Sequence, residues 1–181
     1  MKKVILIFIT AILISSCSVV VNVKKVEIPQ EGVMLEIPEN WSFDESMLLD
    51  QDKNEIGEFT LGVIQTTPQI DCEEFMNRLI NEGDAIETDK GGYVFERATG
   101  GDVFFENFNL VAKEINGKKI FRATSNMTSY GEDGAQKGIN CAYCVELSKN
   151  KLFRFDFYYN EDQTHLYGKS DTIMSTVELI K

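Results

Sequence analysis

Lys151-Leu-Phe-Arg-Phe-Asp-Phe-Tyr-Tyr159 is the stretch that decides the fold. Successive side chains of an extended chain point to opposite faces. Phe153, Phe155, Phe157 and Tyr159 therefore share one face, and Leu152, Arg154, Asp156 and Tyr158 share the other. One face is aromatic and the other mixed, which predicts a half-buried antiparallel strand with its aromatic side in a core.

Outward from this strand, Ser148–Asn150 reads as a tight turn and Cys141–Ser148 as the preceding strand. Asn116-Gly117 is a two-residue hairpin signal, because both turn positions need positive φ. It joins strands predicted over Val103–Ile115 and Lys118–Met127. Tyr93–Ala98, Val33–Ile37 and a hairpin of Met47–Leu49 with Glu58–Gln65 complete the predicted strands, and Pro38–Trp41 reads as a turn that returns Trp41 to the core. Asp71 with Glu74 three residues later is a capping box. The helix it opens, over 71–83, places Cys72, Phe75, Met76, Leu79 and Ile80 on one face and ends at Gly83. A last helix is predicted over 163–180, with Leu166, Ser170, Ile173, Val177 and Ile180 on one stripe. The expected fold class is α+β: an antiparallel sheet of long hairpins with packed helices, forming one domain over residues 30–181.

The N-terminus reads differently. Met1-Lys2-Lys3 is a short positive region, residues 4–14 are an apolar run, and Ile14-Ser15-Ser16-Cys17 follows. Small residues before a cleavage point are what a signal peptidase accepts. The run is too short to span a bilayer comfortably. Its end resembles the bacterial lipobox, an aliphatic residue and two small ones before a Cys. That resemblance implies a signal peptide over 1–16, cleavage before Cys17, diacylglycerol on the Cys17 sulfur and a further acyl chain on the new amino group. Two or three chains suffice for stable anchoring, where one does not. Residues 17–29 then read as a lipidated tether.

The 181-residue chain has 43% hydrophobic and 26% charged residues, which suits a folded domain rather than a disordered one. Its formal charge is −11, and loss of Lys2 and Lys3 with the signal makes the mature chain two units more negative. Such a chain is repelled by phosphate backbones, so no nucleic-acid partner is expected. Anionic head groups repel it too, so the expected membrane contact is the acylated Cys17 alone.

A strand running into Ile37-Pro38-Glu39-Asn40-Trp41, a hairpin, the helix over 71–83, long antiparallel strands opening at Gly92-Tyr93 and a C-terminal helix closing with Thr176-Val177-Glu178-Leu179-Ile180 form a recognisable order. It resembles the PsbP-like superfamily, which is named for an extrinsic protein of photosystem II and includes many bacterial lipoproteins. The resemblance covers residues 30–181. It implies an α/β/α sandwich around an antiparallel sheet and a non-enzymatic role in binding or assembly at a membrane. It supplies no catalytic residues.

Candidate chemistry is sparse. Cys141-Ala-Tyr-Cys144 has redox spacing, but redox pairs sit at helix N-termini, where the dipole favours the thiolate. In a strand, Cys141 and Cys144 point to opposite faces. Cys72 faces inward on its helix, so a Cys72–Cys141 disulfide across the helix–sheet interface is the expected pairing, beside inert buried thiols. Cys72, Cys141, Cys144 and the only histidine, His165, could just form a zinc set, but only one pair is closely spaced. Asp50-Gln-Asp52-Lys-Asn54 begins like a calcium loop and then fails: Glu55 stands at the glycine position and Leu61 at the bidentate-glutamate position. No metal and no cofactor is expected. No Gly-x-Ser-x-Gly elbow or phosphate loop occurs, and the paired acids (Glu132-Asp133, Glu161-Asp162) read as solvated charge. The aromatics read as core, with Leu152 and Tyr158 as candidates for a docking patch if the second face stays open.

The chain is thus expected to be a lipid-anchored protein of the bacterial cell envelope, on the periplasmic side or the cell surface. Its non-catalytic domain would bind an envelope partner protein or organise a membrane complex; a small-ligand-binding lipoprotein is the alternative. Cys17→Ala is expected to release the protein from the membrane fraction and abolish incorporation of labelled acyl chains. Unchanged membrane retention at the same gel mobility contradicts the lipid anchor.

Overall fold

The computed structural model describes residues 22–65, 70–87, 93–96, 103–131, 134–160 and 167–180. The aromatic strand, β11 (Lys151–Tyr159), lies at the centre of a seven-stranded antiparallel sheet. On one side of it follow β5 (Glu55–Gln65), β4 (Met47–Leu49) and β3 (Ser42–Asp44). On the other follow β10 (Gly134–Ser148), β9 (Lys118–Gly131) and the edge strand β8 (Val103–Ile115). The register sets Phe157 opposite Cys141, Phe155 opposite Tyr143 and Phe153 opposite Val145. Directly opposed side chains share a face, so these residues form one apolar surface. Phe155 and Phe157 rings lie 4.7 Å apart, and Tyr143 meets Phe157 edge-on at 5.5 Å.

Each face has its own cover. The aromatic face packs on a second, three-stranded sheet of β1 (Val23–Ile28), β2 (Val33–Pro38) and β12 (Glu178–Leu179), through Ile28, Val33, Leu35 and Ile37. Helix α2 (Tyr167–Ser175) joins this core through Ile173 and Met174. The opposite face packs on helix α1 (Cys72–Glu82) through Cys72, Phe75, Met76 and Leu79, which meet Phe121, Ala123, Ala142, Cys144 and Leu152. The Asp71 carboxylate accepts from the Glu74 backbone N–H at 2.8 Å and caps α1; Gly83, at φ 113°, closes it. A short hairpin of β6 (Asp84–Glu87) and β7 (Tyr93–Glu96) follows α1.

This architecture overturns the expected α+β, α/β/α sandwich. The described chain is mostly strand, and its helices have only 11 and 9 residues. The layer expected to be helical on the aromatic face is largely the three-stranded sheet. Two misread segments account for this. Val23–Ile28, expected within the tether, is strand β1, paired with β2 from Val23 opposite Pro38 to Ile28 opposite Val33. The C-terminal segment leaves the helix after Ser175: the Thr176 hydroxyl accepts from the Glu36 backbone N–H at 2.8 Å, and Glu178 and Leu179 pair with Met34 and Val33. An open edge on β2 outweighs helix propensity there, and β-branched Thr176 and Val177 suit an extended path.

The mixed face of β11 is also not half-buried as expected. Leu152, Arg154 and Asp156 are all buried. Arg154 Nη2 donates to Asp156 Oδ2 at 2.8 Å, so two charges are withdrawn from water as a neutral pair. Gly57 makes the close approach of β5 to β11 possible. A Cβ there would meet Phe155 Cε1 at 2.6 Å and the Asp156 carbonyl oxygen at 2.7 Å. Because the carbonyl belongs to the ladder, it has little room to retreat. Gly57→Ala is expected to destabilise the fold by about 1–3 kcal/mol, read as a lower midpoint in urea. An unchanged midpoint would mean that β5 and β11 are not packed this closely.

Candidate functional site

Among the described residues, the covering layers do not reach the far ends of β8 and β9. Asn116 (φ 54°) and Gly117 (φ 73°) form the predicted hairpin turn, and the two strands run from it well past the core. Register shifts between Glu106–Asn126 and Asn109–Thr124, so β8 holds one more residue than β9 in this interval. Asn107, at φ 57°, lies in that bulge. Val103, Phe104, Phe105, Phe108 and Tyr130 are left exposed, with Phe104 at 54% and Tyr130 at 53%. Phe104 and Tyr130 rings meet edge-on at 5.8 Å. Phe104 lies opposite Thr128 and Phe105 opposite Met127, so the two phenylalanines emerge on the two faces of the strand. These exposed apolar and aromatic side chains, on both faces of the strand ends of an otherwise acidic protein, are a candidate docking surface. Its sequence signal, Val103-Phe104-Phe105 followed by Phe108, was legible as strand but not as exposed strand.

The residues expected to form such a patch do not. Leu152 is buried in the core beneath α1. Tyr158 is half-buried, and its hydroxyl donates to Glu58.

A buried polar cluster ties α2 to the aromatic face. Asp171 is buried and accepts from Arg122 Nη1 at 2.9 and 3.0 Å, from the Tyr143 hydroxyl at 2.8 Å and from Lys113 Nζ at 2.5 Å. The Tyr143 hydroxyl also lies 2.8 Å from Ser170 Oγ. The Arg122 guanidinium stacks over Tyr167, 4.7 Å from the ring centre. Burial pushes the Tyr143 hydroxyl far above the usual phenol range, so it stays protonated as a donor. Each residue of this cluster is engaged with another, and only Arg122 Nε is left without a partner among its buried side-chain atoms. The cluster's evident role is to hold the helix.

All three described cysteines are free and buried. The expected Cys72–Cys141 pairing is not formed: Cys141 lies in the core with α2, whereas Cys72 lies with Cys144 beneath α1. The alternation that places Cys141 beside Tyr143 turns Cys144, not Cys141, toward the helix. Burial raises the Cys141 thiol to about 12. Of the weighed zinc set, His165 lies outside the described residues, and the sheet separates Cys141 from the other two cysteines. Cys17 also lies outside the described residues.

Asp50 closes its own turn. Its carboxylate accepts from the backbone N–H groups of Asp52 (2.8 Å) and Asn54 (2.9 Å) and from the Asn54 side chain (3.0 Å). These bonds, that of the Asn54 side chain foremost, hold its carboxyl below the usual carboxylate range. Beside this turn lies an open cleft of about 600 Å³, lined by residues that include Asp50, Gln136, Lys137 and Tyr158. It lies between the β4–β5 turn and the outer half of β10, not between sheet and helix.

The chain matches no family model and no curated protein. Among solved structures it is similar to the solution structure of cyanobacterial PsbP (CyanoP) from Synechocystis sp. PCC 6803. The identity is 13% and the TM-score 0.46, over 92% of this chain and 98% of that one. That protein bears the name of the superfamily that the order of elements resembles. At this identity and TM-score the likeness carries no argument about what this chain does.

Removing the Asp171 carboxylate leaves Arg122 buried without its counter-ion. Asp171→Ala is expected to cost about 3–5 kcal/mol, measured by urea denaturation, whereas Phe104→Ser is expected to stay within about 0.5 kcal/mol of the parent. Equal effects would contradict the division between a structural cluster and a free surface.

Proposed function

We propose that the chain is a lipid-anchored protein of the bacterial cell envelope. Its non-catalytic domain docks a partner protein through the aromatic ends of β8 and β9. The observation that carries this reading is the exposure of Val103, Phe104, Phe105, Phe108 and Tyr130 together at the ends of these two strands. Aromatic side chains supply large contact area at low entropic cost and dominate interface energetics. The chain's charge of −11 selects against acidic partners, so the fitting partner presents an apolar surface with a neutral or basic rim. The lipobox-like Ile14-Ser15-Ser16-Cys17 supports the envelope location. The 600 Å³ cleft supports a second reading, a binding site for a small polar ligand.

A photo-crosslinking side chain placed at Phe104 in the membrane-anchored protein is expected to capture one stoichiometric envelope protein. The same group at exposed Glu45 is not, and Tyr130→Ser is expected to reduce the Phe104 capture at least tenfold. Capture that is equal at both positions, or insensitive to Tyr130, contradicts docking through this surface.

A further inference from the structure

Helix α1 and strand β10 bring two cysteines together that are far apart in sequence. Cys72 is the first residue of α1, set in place by the Asp71 cap, and its side chain lies in the inward row with Phe75, Met76 and Leu79. Cys144 is fully buried on the face of β10 that receives α1, in the same cluster as Ala142. Cys141, Tyr143 and Val145 occupy the other face. Of the three possible pairings among these cysteines, two would have to pass through the sheet. We infer that Cys72 and Cys144 form a disulfide that staples α1 to the sheet, and that Cys141 remains a thiol. The two thiols already interact with each other.

The chemistry balances with a disulfide as oxidant. A thiolate of one cysteine attacks the oxidant's disulfide, giving a mixed disulfide, and the second cysteine displaces the oxidant's remaining sulfur. Two thiols lose two electrons and two protons, one protein S–S bond forms, and the oxidant leaves as two thiols. Both thiols are buried, and burial pushes the Cys144 thiol well up, so the pair is closed to an oxidant in the finished fold. The bond therefore forms while the chain folds and is shielded afterwards. It closes a loop that contains β6 to β9, including the whole aromatic arm, and so fixes the base of that arm. An oxidising compartment, where the reading of residues 1–17 places the chain, supplies such an oxidant; the pairing itself does not depend on that reading or on a docking partner.

The test is refolding of the denatured, reduced full chain in a mixture of reduced and oxidised glutathione, then acid quenching, alkylation and a non-reducing peptide map that resolves Cys17 from the other cysteines. The expected product links the Cys72 and Cys144 peptides and leaves Cys141 alkylated. Its melting temperature should exceed that of the reduced protein by about 10 °C. Cys141→Ser should keep both the link and the gain, and Cys144→Ser should lose both. A product linked through Cys141, or a protein that refolds fully with Cys72 and Cys144 still free, overturns the inference.

Discussion

The structure depends on a pair of strands that cannot face water on either side. Cys141 to Val145 in β10 and Leu152 to Phe157 in β11 are buried at every position. A sheet with one solvated face can make do with a single cover; this one needs two. The three-stranded sheet with α2 supplies the first and α1 the second, and the residue pattern of each cover follows from the face it meets. Leu35 and Ile37 meet aromatic rings, while Cys72 and Phe75 meet the smaller Ala123, Ala142 and Cys144.

Burial on both sides makes the placement of polar groups demanding. Arg154 with Asp156, and Asp171 with Arg122, Lys113 and Tyr143, are drawn under the covers as hydrogen-bonded groups rather than lone charges. Such clusters add little net stability compared with well-packed apolar residues, but breaking one side of them is costly. The Asp171 cluster joins β8, β9 and β10 to α2. It thereby fixes α2 against the sheet, and Thr176 to Leu179 follow from the helix onto the edge of β2. The outer ends of β8 and β9 are under no such constraint. Among the described residues nothing covers them on either side, and their aromatics are exposed.

What was legible in the sequence follows the same physics. The alternation of 151–159, the Asn116-Gly117 turn and the Asp71 cap are local signals, and the structure places each element where they indicate. The ends of the domain were not legible, because their structure is decided by pairing with β2. Val23–Ile28 is half polar, and 176–180 continues a helical stripe, so neither declares itself a strand without its neighbour. The inner half of β10 was predicted from Cys141 onward; Gly134 and Gly138 hid its start, and only pairing with β9 extends it. For the candidate site, period two separated Cys141 from Cys144 correctly, but nothing local shows which face α1 covers. Likewise Phe104 and Phe155 look alike in sequence. Only the extent of the covering layers makes one a surface residue and the other core.

The account's central claim is that the ends of β8 and β9 are a protein-docking surface while the cleft beside Asp50 is not the site of action. Amide hydrogen exchange, comparing the isolated protein with the protein in its native membrane assembly, tests it most directly. The account predicts slower exchange confined to residues 103–108 and 130–131 in the assembly, with residues 50–56 and 136–138 unchanged. Identical exchange over 103–131, or protection centred on the cleft, would contradict it.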